Sequence, residues 1–227
     1  NPQKRTIEEK EGLFSLLDAV LAVLSAAFHG HAGNRRYFRD RVESGGWVAL
    51  EQTIASIGLG GSDLDAWTSS QLFGKLLAFA LDNPALDQLC RNVGTQTPAR
   101  QDGDPAEAAT ANENGKQNEQ GGGVPGSVVH IEDEVRKIVK ADATIRNPEV
   151  IRTIVDFWIP MPKGTGPEAQ AVSRLVLSVI AEAIAASSYN LCLVYETAVY
   201  TRLLALVLDE ESKLSKAEHD LVVTICR

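Results

Sequence analysis

The chain is poor in cysteine. Cys90, Cys192 and Cys226 are the only three in 227 residues, and their wide spacing matches neither a disulfide framework nor a metal-binding cysteine pair. Each lies beside aliphatic residues in a helical pattern, which predicts buried structural thiols in a reducing compartment. The fold therefore has to be stabilised by its own apolar core, which a chain of this length can form.

Positive charge is also scarce. The chain has 22 Lys and Arg against 30 Asp and Glu, a net charge of -8. A general nucleic-acid-binding protein needs a broad basic surface to displace counterions from phosphates, so this balance argues against that class. Long apolar runs are missing as well, because the longest candidate, Leu16 to Phe28, is interrupted by Asp18 and Ser25 and is too short to span a bilayer.

The first residues lack the features of a secretory leader. The segment from Asn1 to Glu11 is polar and charged where an apolar stretch would be needed, which predicts a cytoplasmic location. The chain does not begin with methionine, Met161 is its single methionine, and Ile225 to Arg227 end an apolar run. We therefore expect the sequence to be a piece of a larger parent chain.

The segment from Gly33 to Leu50 has the pattern of a short helix, a glycine corner and a second helix. Asn34 has the side chain of a helix N-cap, and Gly45 and Gly46 permit the positive backbone dihedral that ends a helix. Apolar residues then recur every three or four positions, which places them on one helical face; they are Trp47, Leu50, Ile54 and Ile57. The pattern predicts a helical-repeat unit and contains no catalytic group.

This unit resembles an armadillo repeat. Together with Gly12–Val20 before it and Leu72–Ala80 after it, it is similar to the region ahead of the BEACH domain in large fungal beige-like proteins. The resemblance implies a non-catalytic helical scaffold in membrane trafficking, with anionic membrane lipids or a trafficking-related protein as its partner. The BEACH domain itself and the WD40 propeller are not in these residues, so none of their functional residues can be carried over.

The apolar periodicity along the rest of the chain predicts an all-α fold, because no segment shows the alternation of a strand. Residues 1–93 form a first helical block and residues 128–227 a second one, continuous with the first as one solenoid. Residues 94–127 are rich in Gly, Asn, Gln, Ala, Asp and Glu, which predicts a long disordered loop. The expected architecture is an armadillo-like α-solenoid of stacked helix pairs and triplets with this loop between repeats.

Two capping boxes mark helix starts. Thr6 and Glu9 have the spacing of a capping box for a first helix that runs to Phe28, and Ser215 and Glu218 repeat this spacing near the C-terminus.

Two further patterns concern the interior helices. The Asn-Pro pairs at 83–84 and 147–148 are typical helix starts, and we interpret them as equivalent helices of two blocks. The segment 167–186 has one apolar stripe, whereas 189–208 is apolar over most of its circumference, which predicts that the latter is a central helix.

Groups suited to catalysis or cofactor binding are few. His29 and His31 are the nearest to a metal pair, but no third ligand follows at suitable spacing, and we interpret them as helix-terminal residues. The glycines of 58–61 follow a helix instead of a strand, and no Gly-Lys-Ser/Thr comes after them, which argues against a phosphate-binding loop. The sequence predicts a protein without enzyme activity, cofactor or metal.

Two basic clusters are the candidate ligand-binding residues. Helical periodicity places Arg35, Arg36 and Arg39 in one sector, roughly opposite Tyr37 and Phe38. Paired guanidinium groups bind phosphate in a bidentate manner, so this face suits phosphoinositide-type lipid head groups or a phosphorylated or acidic protein. Arg136, Lys137 and Lys140 form a second sector of the same kind.

Two functional hypotheses stay open at this point. Acidic residues lie three or four positions from both clusters, and the resulting ion pairs could simply solubilise exposed helix faces. The first hypothesis is docking on anionic phospholipid, which would make the cytoplasmic protein a peripheral membrane protein. The second is recognition of a partner peptide or helix in a solenoid groove, without lipid.

Overall fold

The computed structural model describes residues 5–42, 45–60, 64–95, 128–161, 166–209, 212 and 214–227. Within these ranges there are eleven α-helices and no strand, which confirms the all-α prediction. The helices are α1 Ile7–Phe28, α2 Ala32–Arg41, α3 Gly46–Ser56, α4 Ala66–Leu81, α5 Ala85–Thr95, α6 Val128–Ala141, α7 Pro148–Trp158, α8 Pro167–Ala185, α9 Ser188–Glu196, α10 Val199–Leu208 and α11 Lys216–Cys226.

The helices stack in two rows. In the first row α1 packs against α4, α4 against α8, and α8 against α11. In the second row α3 packs against α7, and α7 against α10. The short helices α2 and α9 precede α3 and α10 along the chain and pack against them. The repeated order of short helix, second-row helix and first-row helix confirms an α-solenoid of stacked helix pairs and triplets.

The centre of the stack is formed by α4 and α8. Phe73 and Leu77 on α4 and Leu175 and Val179 on α8 are fully buried. Helices from both sequence blocks contribute to a common apolar cluster, because α4 packs against α7 and α8. Burial of this kind is the main favourable contribution to the stability of the stack.

The prediction of one central helix over 189–208 is wrong. The segment is divided into α9 and α10, because Thr197 donates its hydroxyl hydrogen bond to the carbonyl of Val194 and Ala198 adopts a left-handed conformation with φ 60°. Tyr195 and Leu208 are largely exposed. The apolar circumference of this segment therefore belongs to the outer end of the stack and not to its centre.

Helices α5 and α6 belong to neither row. Helix α5 packs against α4 and α8, and α6 packs against α8 and α5. The Asn-Pro pairs are therefore not equivalent, since one opens α5 beside the first row and the other opens α7 in the second row. The predicted loop also begins too early, because Gly94 and Thr95 belong to α5, where Gly94 lies close against Ser70 of α4. Residues 96–127 lie outside the described residues.

The segment between α6 and α7 is fixed by polar contacts. The Asn190 side-chain amide donates to the carbonyls of Ala143 and Ala183 and accepts from the amide of Ile145. The Asn147 side chain donates to the carbonyl of Phe79 at 2.9 Å. Buried amides need such partners, because an unpaired polar group in the interior costs about 1–3 kcal/mol.

The helix caps agree with the sequence at both ends of the chain. The capping boxes of Thr6 with Glu9 and of Ser215 with Glu218 are present. The cap predicted at Asn34 is wrong, because α2 already begins at Ala32 and the Asn34 side chain donates to the carbonyl of Ala27. Asn34 therefore joins α2 to the last turn of α1.

The three cysteines differ in their environments. Cys90 is buried and burial raises the pKa of its thiol far above the ordinary range, whereas Cys226 is half-buried. Cys192 is exposed on α9, so the prediction that all three thiols are buried is wrong for this residue. The reason is again that α9 lies on the outside of the stack.

Among the described helices, α1 has the length and composition of a membrane-crossing helix. Its two faces differ. Phe14, Leu17, Leu21 and Phe28 are buried in the protein core, whereas the opposite face is exposed. Part of the apolar character of α1 is therefore used in packing against α4, as in an ordinary amphipathic helix of a globular protein.

The glycine corner between α2 and α3 gives a stability prediction. A Cβ atom on Gly46 would lie 2.6 Å from the ring and the backbone carbonyl oxygen of Phe38. We expect Gly46→Ala to lower the free energy of unfolding by about 1–3 kcal/mol in urea denaturation, because the backbone has to shift. The control is Gly33→Ala, since no atom lies within 4 Å of its added Cβ. Equal effects of the two substitutions would contradict this description of the corner.

Candidate functional site

A cleft lies where helices of three successive units meet. It has a volume of about 360 Å³ and lies between the start of α3, the start of α7 and the break between α9 and α10. We call it the inter-unit cleft. Its lining residues are Arg39, Gly45, Trp47, Val48, Glu51, Pro148, Glu149, Arg152, Thr153, Leu193, Glu196, Thr197 and Ala198.

One wall of the cleft is apolar and rigid. Trp47 is 7% exposed, and its ring lies 5.1 Å from that of Phe38 and 6.0 Å from those of Phe28 and Phe79. The contact with Phe38 is edge-to-face and the other two are tilted, and aromatic packing of this kind restricts ring orientation. The Trp47 Nε1 donor is buried and has no hydrogen-bond acceptor among the described residues. The cleft wall therefore contains an unsatisfied polar atom.

The two guanidinium groups of the cleft have carboxylate partners that lie outside it. Arg39 donates to both carboxylate oxygens of Asp40, at 2.7 and 3.2 Å. Arg152 lies 3.5 Å from Asp156, which also pairs with Arg202. The positive charge that faces the cleft is thus largely compensated before any ligand binds.

The carboxylates of the cleft are less well paired. Glu149 lies 3.9 Å from the Arg39 guanidinium through Oε1, and its Oε2 is buried without a hydrogen-bond donor among the described residues. Burial raises the pKa of Glu51, and the nearby carboxylate of Asp156 raises it further, whereas Arg152 and Arg202 act in the opposite direction. The unpaired polar capacity of this cleft is therefore mainly that of hydrogen-bond acceptors.

The first basic cluster is brought together by α2. Arg35, Arg36 and Arg39 line a small pocket of about 170 Å³ together with Ala32 and Glu149. Arg35 donates from Nη1 to the carbonyl of Arg146 at 3.0 Å, and its buried Nε has no acceptor among the described residues. This pocket adjoins the inter-unit cleft, because Arg39 and Glu149 line both.

The second basic cluster is on α6, which packs against α5 and α8. Arg136 lies 3.1 Å from Glu182 and 3.6 Å from Asp133, and Lys137 lies 2.8 Å from Glu134. Lys140 is exposed. Two of the three cations thus have carboxylate partners in the protein. None of the three lines the small arginine pocket or the inter-unit cleft.

The described residues hold no group of three or more His, Cys, Asp or Glu side chains suited to a metal ion. The comparison with protein-family models gives a match to armadillo-like repeats over residues 1–227. The chain belongs to the armadillo-like repeat family. No curated protein and no solved structure matches it.

Sequence reasoning missed the inter-unit cleft of this armadillo-like protein. Trp47 was placed correctly on the apolar face of α3, but its unsatisfied nitrogen could not be foreseen. Glu51, Glu149 and Glu196 are on three different helices and belong to no motif. The only signal was the Asn-Pro start of α7, which places Glu149 in the first turn of that helix.

The charge of Glu51 gives a pH prediction. Because the pKa of Glu51 is raised in the folded state, the folded protein binds its proton more tightly than the unfolded chain, and ionisation at neutral pH reduces stability. We expect Glu51→Gln to raise the midpoint of urea unfolding at neutral pH. The difference from wild type should shrink as the pH falls through the raised pKa. Glu8→Gln is the control on an exposed part of α1, and an effect of Glu51→Gln that does not vary with pH would contradict the assignment.

Proposed function

We propose that the protein is a non-catalytic armadillo-like scaffold that binds a segment of a partner protein in the inter-unit cleft. The observation that carries this proposal is the cleft itself, which is bordered by three successive units. Its lining includes Trp47, whose buried indole N–H has no acceptor among the described residues. A peptide backbone carries carbonyl groups that could accept from such a donor. A ligand that satisfies it recovers part of the free energy lost by its burial.

The size of the cleft supports a peptide ligand. A volume of about 360 Å³ is at the lower end of the range of about 300–1,000 Å³ that is typical of ligand pockets. This is room for one or two side chains of an extended or helical segment, while the rest of the segment lies across the helix ends outside the cleft. Val48 and Leu193 provide apolar contacts in the cleft lining.

Filling the cleft tests this proposal. We expect Val48→Tyr, at a partly exposed position of the cleft lining, to remove binding of peptides selected on the wild type from a displayed random library. The reason is that the larger side chain occupies the space of the ligand. Binding is measured by fluorescence anisotropy of the labelled peptides.

The matched control for this experiment is Val23→Tyr, at an exposed valine of α1 that is not in the cleft lining. Circular dichroism verifies that both variants keep their helical content. Selected peptides that bind wild type and Val48→Tyr equally well would refute the cleft as the binding site.

We also propose a second candidate function, which is docking on anionic phospholipid head groups as part of a BEACH-type trafficking protein. It is supported by the small pocket that Arg35, Arg36 and Arg39 line. The Arg36 side chain is exposed and makes no hydrogen bond or salt bridge with another described residue. The carboxylates of Asp40 and Glu149 beside Arg39 weaken the attraction for an anion, so this function ranks below peptide recognition.

Liposome co-sedimentation tests this second function. If it is correct, Arg36→Glu should reduce binding to vesicles that contain phosphoinositide, and the wild-type binding should fall with increasing salt, since it depends on screened charges. Lys216→Glu makes the same change of charge at an exposed position of α11. No binding of wild type, or equal loss in both variants, would refute docking through α2.

A further inference from the structure

We propose that the inter-unit cleft selects a cationic side chain, Lys or Arg, of the partner segment. This inference rests on the proposed function, because it names the chemistry of the ligand that the same cleft binds. It follows from which charged side chains of the lining already have a partner of opposite charge and which do not, and from the apolar residues beside them.

The unpaired charge of the cleft is negative. Its lining contains three carboxylates, Glu51, Glu149 and Glu196, and two guanidinium groups, Arg39 and Arg152. Each guanidinium has a carboxylate partner outside the lining, Asp40 or Asp156. None of the three carboxylates accepts a hydrogen bond from another residue of the described part of the chain. An incoming cation therefore finds carboxylates without hydrogen-bond donors, of which only Glu149 has a guanidinium nearby, Arg39 at 3.9 Å. An incoming anion has to compete with Asp40 and Asp156, which lie closer to Arg39 and Arg152.

Glu149 is the carboxylate of the cleft that most clearly lacks hydrogen-bond donors. One oxygen lies at a distance of 3.9 Å from the Arg39 guanidinium, which is too long for a hydrogen bond, and the other is buried without a donor among the described residues. The carboxylate plane of a glutamate rotates with little restriction, so either oxygen can turn toward a ligand. A Lys ammonium or an Arg guanidinium supplies the missing donors as a charge-assisted hydrogen bond.

Glu51 supports the same ligand class. Its raised pKa results first from burial and second from repulsion by Asp156, with Arg152 and Arg202 opposing the shift. A carboxylate in such surroundings gains more from a cationic partner than a fully solvated one, because solvent screens the pair less. A bound cation beside Glu51 would favour its ionised form.

The other groups of the cleft suit the remainder of a Lys or Arg residue. The long aliphatic stem of either side chain can lie along Val48 and Leu193, as such stems do on apolar surfaces. The Trp47 Nε1 donor has no acceptor in the part of the chain that the structure describes, and Trp47, a residue of the cleft lining, is more than nine-tenths buried. A main-chain carbonyl of the ligand is an acceptor for it. A free metal cation would satisfy the carboxylates but not this donor.

The test is parallel selection from a displayed random peptide library on wild type, on Glu51→Gln/Glu149→Gln and on the control Glu8→Gln/Glu11→Gln. Both double variants lose the same charge and keep side-chain size, but the control residues are exposed on α1. We expect wild type and control to enrich Lys or Arg at a fixed position and the cleft variant to lose this enrichment. The enriched peptide should bind the cleft variant roughly tenfold more weakly, as expected for loss of a charged hydrogen bond.

The outcomes separate this inference from the function on which it rests. Peptides that are blocked by Val48→Tyr but show no preference for Lys or Arg, or that prefer Asp and Glu, would overturn the cationic ligand and leave the scaffold function intact. Peptides whose binding does not respond to Val48→Tyr would overturn both the cationic ligand and the scaffold function.

Replacing the enriched Lys or Arg of the peptide by Gln should weaken binding to wild type to the level of the cleft variant. Equal binding of the two peptides would also overturn the inference.

Discussion

The buried ammonium group of Lys75 holds α1 and α5 against α4. Lys75 is in the middle of α4, its side chain is 3% exposed, and its Nζ lies 2.5 Å from Asp18 of α1 and 3.9 Å from Asp87 of α5. A charge at such depth is tolerated only with its partners, so α1 and α5 have to be in place together with α4. Gly74 makes the approach of α5 feasible, because a Cβ at this position would lie 2.8 Å from Asp87 Oδ1.

Main-chain hydrogen bonds connect α4 to the residues that form the inter-unit cleft. The amides of Arg146 and Asn147 donate to the carbonyl of Ala80 in the last turn of α4, at 2.8 and 3.1 Å. These bonds fix the start of α7, and with it Glu149, opposite Arg39 at the end of α2. The cleft is thus a consequence of how the units are joined. Its groups come from helices whose relative position depends on the packing of a buried row that does not itself line the cleft.

The features of the fold that could be predicted from the sequence are those that depend on residues close together in the chain. Capping boxes at Thr6 and Ser215 and the apolar stripe of α8 depend on residues within a few positions of one another. The division of 189–208 did not follow from its composition, because a segment that is apolar over most of its circumference gives no sign of the left-handed Ala198 at which it breaks. The pairing of Lys75 and the unsatisfied atoms of Trp47 and Glu149 depend on residues distant in sequence. The basic residues of α2 were identified, but the acidic groups that determine their electrostatic environment were not.

The two candidate binding surfaces are electrostatically linked, because Arg39 and Glu149 line both the arginine pocket of α2 and the inter-unit cleft. A phosphate group in the arginine pocket would attract Arg39 and leave Glu149 with less positive charge nearby, which favours a cation in the cleft. A cation in the cleft would conversely compete with Arg39 for Glu149 and leave the guanidinium more available to an anion. Coupling of this kind is reciprocal by thermodynamic necessity. A partner with a basic residue close to an acidic or phosphorylated one would therefore match this surface better than a ligand of a single charge.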